Sequence, residues 1–580
     1  MIKTISPYTT HQQDNLTRTN SKFNIQNSTF FPPCIKSVIS ACILILTLFF
    51  LLPGSLLAQD NFQWYARSHA LASTHDLVPL WLRTDKYGTV NNYGNGELSL
   101  LAGATYKTEI IKNIDMILGM EGYASNQWDY KAISQLYAEF KWGPASLIVG
   151  KRNINFLNAR NQQLPYMDFR NIRPFPYFSF GFYDYTNIPF LKGYLQFKAT
   201  FVQGILNGDR DPIGVDKPLY HFKSLYAKTG NFPLQLFIGM NHGVIFGGTM
   251  QNGTKIPVDF YNTYLINASE KVGEVLPGEG QNKPGEHLGF VDMGAVLDLK
   301  KVYFDFTFQN IFTDYSGFIQ SDDHNLIFNL QLKGKHPVSS LNYEYGYTVH
   351  QSGIGLGDRY YKGITNYTQY LKENFNYTGD EVLTFEDFTA MLYSYTGKDG
   401  KYSGRDSYFN NGIYPLGHFH DDHFFGYPLM HSKQQIELFK DDGIQVYENI
   451  GNNRIQSHHF AAEGWITDCL KYNAKATFTT NFGTYSGYYI HDFVEREDYY
   501  FRDGKRQNYF LLELEYAKER SPLKFVASFG IDSGELYDSY GVMFGVNYSG
   551  ESFGIGKRSG RGKTPIHRSS YSIWNPFNKE

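Results

Sequence analysis

Four histidines and two aspartates crowd one short stretch, GHFHDDHFFGYPLMH, residues 417–431. His418, His420, His423 and His431, with Asp421 and Asp422, are the residue types that hold a divalent cation when their spacing converges. No HExxH motif and no cysteine pair accompanies them. The alternative is an ordinary loop rich in Tyr, Phe and His, and the expectation is no metal and no cofactor. Nearby, NNRIQSHHF places Asn453, Arg454, His458 and His459 at the entry to a strand. Such a group either pins a large loop to the adjoining wall or reads sugar hydroxyls. RDSYFNNGIY offers Arg405, Asp406, Asn410 and Asn411 ahead of Gly412, with sugar binding or turn shaping as its two readings.

Catalysis finds less support. Glycoside hydrolysis needs two carboxylates set across the scissile bond. Glu513 and Glu515 sit on one strand face, but nothing in their spacing singles out a pair. The chain has no GxxxxGK[ST] phosphate loop and no CxxC. The protein is expected not to be an enzyme.

The elements that position these residues are strands. In NLIFNLQLKG, residues 325–334, Leu326, Phe328, Leu330 and Leu332 share one face of an extended chain, opposite the mainly polar Asn325, Ile327, Asn329, Gln331 and Lys333. The same two-residue period runs through 193–206, 301–310, 341–350 and 523–532. It also marks segments near 98–110, 114–126, 132–142, 145–153, 176–186, 219–229, 233–246, 287–299, 456–468, 471–486, 507–519 and 540–549. Many of these run to roughly 9–13 residues, the length of a tilted strand crossing a bilayer. Soluble strands are shorter. Aromatic residues make up 17% of the chain, with 46 Tyr and 47 Phe. The mean hydropathy of −0.39 excludes a helical membrane protein. A near-neutral net charge of −3 argues against a nucleic-acid partner.

One long apolar run, KSVISACILILTLFFLLPGSLLAQD at 36–60, reads as an export signal with cleavage after Ala58. The expected fold is an all-β membrane protein: a large antiparallel transmembrane barrel of about 16–18 strands, its greasy face turned to lipid, plugged or capped by small helical segments. The organisation read from the sequence is a leader over 1–58, a periplasmic, partly helical segment over 59–97, a barrel over 98–549, and a basic disordered tail over 550–580. Insertions at 249–286 and 354–455 interrupt the barrel, and loops of such length are usually functional. NYTQYLKENF and TFEDFTAMLYSY are each expected to form a helix, the second capped by Thr384 and Asp387.

Four motifs in order, FIGMNHGVIFGG (237–248), GEHLGFVDMGAVLDL (285–299), GRDSYFNNGIYPLG (404–417) and NNRIQSHHFAAEG (452–464), resemble the capsule assembly Wzi family, in the branch common in Bacteroidota-type bacteria. The likeness runs from about residue 65 to residue 550. It implies a Gram-negative outer-membrane barrel of about 18 strands with a lectin-like role, attaching capsular or other surface polysaccharide to the cell. The partners implied are that polysaccharide, outer-membrane lipid and the outer-membrane insertion machinery. A porin-like diffusion channel is the alternative, and a glycan- or lipid-modifying enzyme a more distant one.

Overall fold

The computed structural model describes residues 61–551, apart from 128–132, 207–213, 277–283, 314–322, 352–363, 392–406 and a few single residues or pairs. The leader and the tail lie outside the described residues. Eighteen strands form one antiparallel sheet that closes on itself. In chain order they are β1 (Phe62–Ser73), β2 (Gly96–Ile111), β3 (Ile114–Ser125), β4 (Ile133–Trp142), β5 (Ala145–Lys151) and β6 (Tyr177–Asn187). Next come β7 (Leu195–Ile205), β8 (Leu219–Thr229), β9 (Leu234–Phe246), β10 (Glu286–Asp298), β11 (Val302–Phe312) and β12 (His324–Leu332). The circuit ends with β13 (Ser340–Tyr347), β14 (Ile455–Thr467), β15 (Leu470–Asn481), β16 (Lys505–Ala517), β17 (Leu523–Gly534) and β18 (Ser539–Glu551). Each strand pairs with its neighbour in sequence, and β1 pairs with β18 to shut the wall.

Alternation fixes which face looks out. On β12, Asn325, Ile327 and Asn329 are buried toward the lumen, while Leu330 and Leu332 are exposed on the outside. Leu225, Leu236, Ile238, Phe529 and Phe544 continue this outer apolar surface around the wall. A closed sheet pairs all its ladder groups, so such a surface can face hydrocarbon. Both ends of the barrel and most of the short turns share one mouth; the long connections and the short β17–β18 turn share the other. Exposed Trp142 and Tyr516, and Trp64 stacked on Tyr548 at 4.6 Å, ring the short-turn end as an interfacial aromatic girdle does.

Two expectations need correction. The barrel begins at Phe62, not near Leu98, so the stretch assigned to a periplasmic segment contains the strand that closes the wall. Its outward residues Ala66, Ser68, Ala70 and Ala72 are small, so it lacks the contrast that marks the others. The residues after it do form a helix, Leu80–Arg83, but this is one turn buried in the lumen, reached from the long-loop mouth.

That helix belongs to a plug. Three chain segments, 74–95, 152–176 and 407–452, pack together inside the wall around Trp81, Tyr166, Phe169, Tyr408, Tyr427 and Phe425. Inward side chains of the wall join this core, among them Phe222, Phe290, Ile311 and Leu511. Polar wall groups anchor the plug backbone. Glu344 accepts from the Gln163 and Leu164 amides at 2.6 and 2.9 Å, and Asp532 from Leu80 at 2.8 Å.

The insertion after β13 carries the helix Tyr367–Phe375, which packs with Leu383 and Phe388 in a small core of its own. Thr384 and Asp387 make the expected cap, Oγ1 donating to the carboxylate at 2.6 Å and accepting from the Asp387 amide at 3.1 Å.

Candidate functional site

The polar residues singled out from the sequence converge only in part. Arg405, Asp406 and Asp422 lie outside the described residues. Asn410 is occupied internally, its Nδ2 donating to Ser407 Oγ at 3.0 Å and to the Ile450 carbonyl at 2.9 Å, and its Oδ1 accepting from the Ile450 amide at 2.8 Å. Asn411 Oδ1 accepts from the Ile413 and Tyr414 amides and so closes a turn. Buried Asn453 donates to Ser407 Oγ and the Tyr408 carbonyl, tying the large insertion to the foot of β14. These bonds are the ones the loop-pinning reading requires.

His458 and His459 part company. Side chains alternate, so His458 stands on the outer wall 3.0 Å from Tyr343 Oη, while His459 points into the lumen beside Trp81 with Nδ1 2.8 Å from Thr477 Oγ1. Adjacent in sequence, they cannot serve one ligand.

Arg454 is different. Its Nε donates to the Val349 carbonyl at 3.0 Å, and its guanidinium lies 3.8 Å from the Tyr485 ring centre and 5.9 Å from that of Tyr488. Arg496 is stacked in the same way 4.3 Å over Tyr447, with Nε bonded to the Gly487 carbonyl. Tyr499 sits between Tyr488 and Tyr447, its hydroxyl accepting from the Thr484 amide at 2.8 Å. Tyr447, Tyr485, Tyr488, Arg454 and Arg496 are all partly exposed at the long-loop mouth. Planar rings alternating with planar guanidiniums give apolar faces edged by N–H donors, a surface suited to flat, hydroxyl-rich ligands. Tyr485, Tyr488, Tyr499 and Arg496 come from the β15–β16 connection, and sequence reading passed over them. The signal was FGTYSGYYIHDFVEREDYYF, residues 482–501, with five tyrosines in one loop.

The histidine-rich stretch serves the plug. His418 lies 3.5 Å from Glu286, and His423 contacts the Asp421 carbonyl at 2.6 Å. His431 accepts from Asn452 at 3.0 Å. Among the described residues no three His, Cys, Asp or Glu side chains gather as metal ligands. Burial, then Arg83, holds His431 down at about 3; burial, then Arg173, holds His423 at about 4. An unseated plug takes up protons below about pH 6.5, whereas the seated one does not until those lower values. Stability is therefore complete above about pH 6.5 and is lost as pH falls through this window, by up to about 1.4 kcal/mol per pH unit for each imidazole. Thermal midpoints at pH 7.5 and 4.5 are expected to differ, and His431→Gln to flatten the dependence.

Glu513 and Glu515 both face the lumen, Glu513 accepting from Ser528 at 2.8 Å and lying 3.9 Å from Lys86, Glu515 3.4 Å from Lys524. Ser528 and Lys524 are contacts on the neighbouring strand, and Lys86 reaches Glu513 from the plug.

Fold and surface together define the class: a transmembrane β-barrel of the outer-membrane type with an occupied lumen. No family model matches the chain, and no curated protein does. Among solved structures the chain is similar to Wzi of Escherichia coli, an outer-membrane protein involved in group 1 capsule assembly and described as a carbohydrate-binding β-barrel. Identity there is 12% over 88% of this chain and 87% of that one, with a TM-score of 0.44. It is also similar to two Pseudomonas aeruginosa proteins. For OccK5 (OpdH) the identity is 11% over 84% and 97% of the two chains, TM-score 0.40. For OpdL it is 11% over 84% and 98%, TM-score 0.42. These likenesses are of barrel architecture and carry no weight for function.

Proposed function

We propose that this protein is a non-enzymatic, lectin-like barrel of the Wzi type that holds capsular or other surface polysaccharide at the outer face of the outer membrane. The observation that carries this reading is the tyrosine–arginine platform over a lumen filled by a packed apolar plug. The four-motif resemblance supports it independently. Each sugar contact is weak, and repetition along a polymer supplies the avidity. The diffusion-channel reading requires a continuous water path, and the plug core stands in its way.

Purified protein is expected to retain surface polysaccharide from its own cells on a biosensor. Tyr485→Ala and Arg454→Gln are each expected to weaken that retention about tenfold or more, since one lost contact recurs along the chain. Deleting the gene should release glycan into the medium, measured by glycan staining of cells and supernatant. Unchanged surface glycan would overturn the proposal. Steady large conductance in planar bilayers would favour the channel instead.

A further inference from the structure

The connection between β9 and β10 divides: Met250, Ile256 and Leu276 pack against the plug core, while the stretch around Phe260–Leu265 lies against the outer wall. Several side chains that alternation places on the outer wall are nonetheless fully covered: His221, His242, Val244 and Phe246. Over His221 and Phe246 the cover is this connection, through its short helix Phe260–Leu265; a second helix, Glu270–Val275, follows. Tyr264 stacks on His221 at 3.9 Å, donates from its hydroxyl to Gln203 at 2.7 Å, and receives Lys223 Nζ on its carbonyl. Phe246 packs against Phe260 at 5.7 Å. The helix therefore lies along the outside of β7–β9 and hides a polar strip of wall that hydrocarbon would reject.

Its far side is apolar as well. Tyr261 and Leu265, one turn apart on one helix face, are 71% and 55% exposed, and Val258 just before them is 40% exposed. Below, the same strands carry the established lipid-facing surface through Leu225, Ile238 and Leu236. The apolar exterior thus continues from the wall onto the helix, where an aromatic–aliphatic mixture matches the boundary between acyl chains and headgroups. Among the described residues, exposed Glu270, Lys271 and Glu274 fall in the second helix and exposed Lys255 precedes Val258 by three residues, places suited to the headgroup layer.

We propose that the β9–β10 connection is a lipid-docking flap: Val258, Tyr261 and Leu265 sit in the outer leaflet, extending the barrel's membrane contact while screening Gln203, His221 and Lys223. This rests on the membrane-spanning fold and not on the glycan reading. The test uses the full chain in liposomes, in a cysteine-free background, with a nitroxide at Tyr261→Cys or Leu265→Cys. Leu225→Cys serves as the lipid reference and Glu274→Cys as the aqueous one. Both flap labels are expected to collide more with dissolved oxygen than with a water-soluble nickel chelate, as at Leu225. A ratio reversed toward that of Glu274 would overturn the proposal. So would shielding from both relaxants, the mark of a second protein copy on this face. If either label distorts the flap, Val258→Cys gives the same reading from outside the helix.

Discussion

Replacing Arg170 by Met is expected to destabilise the folded protein by about 3–5 kcal/mol, because it strands the buried Asp168 carboxylate and takes one cation from Asp85. The guanidinium makes two bonds of 2.8 Å to Asp168, lies 3.1 Å from Asp85, and donates to the Gln162 carbonyl at 3.0 Å. Burial alone would push the Asp85 carboxyl up, but Arg170, Lys475 and Lys86 together hold it below the usual carboxylate range. The Arg170 guanidinium is itself held above its ordinary value by Asp168 and Asp85, which outweigh its burial. In the variant Asp85 keeps Lys475 at 3.3 Å. Burial already holds the Asp168 carboxyl above the usual carboxylate range against the pull of Arg170; in the variant it keeps no cation among its hydrogen-bond partners, so its folded pKa rises further. The deficit should be largest at neutral pH and shrink toward acid, as the stranded carboxyl takes a proton that the unfolded chain binds less readily. Denaturant unfolding followed by gel mobility, at pH 7.5 and 4.5, measures both parts. A variant as stable as the parent at neutral pH would contradict the assignment of this cluster as the plug's ionic anchor.

Replacing Trp81 by Ala is expected to cost about 3–5 kcal/mol through lost burial and the cavity left behind. The indole is 1% exposed, donates from Nε1 to Thr477 Oγ1 at 3.1 Å, and lies beneath Lys475 Nζ at 4.0 Å and beside His459 at 4.9 Å. Arg170 holds Asp85 and Trp81 lies under Lys475, so the two substitutions are joined through the Lys475–Asp85 pair. The double variant should fall short of the summed losses, a coupling that a double-mutant cycle reads directly. Simple additivity would mean that helix and ion cluster seat independently.

The wall was legible from alternation wherever outward positions carried Leu, Phe or Tyr, as on β11, β12 and β13. It was not legible on β1, where small residues face the lipid and the inward set mixes Leu71 with Arg67 and His69. The plug escaped for a related reason. Where the lumen is packed, inward positions such as Phe290 and Leu288 on β10 are apolar too, and the contrast between faces vanishes. At the site, the sequence pointed to Arg454 but gave no means of knowing which rings it would stack on. Tyr485 and Tyr488 come from the next connection, and only the closed sheet brings them to it. The pair His458–His459 looked like one motif because adjacency in a chain suggests proximity. In a pleated wall it guarantees separation.

The junction of first and last strands is fastened twice. Beyond the ladder between β1 and β18, the segment that follows β1 reaches across inside, Leu80 donating to Asp532 of β17 while Ser539 of β18 donates to the Leu77 carbonyl at 2.8 Å. Parting these strands sideways would mean dragging Trp81 and its helix out of their packed bed in the same movement. Lateral opening toward the bilayer at this seam is thus opposed from within the lumen as well as by the strand ladder.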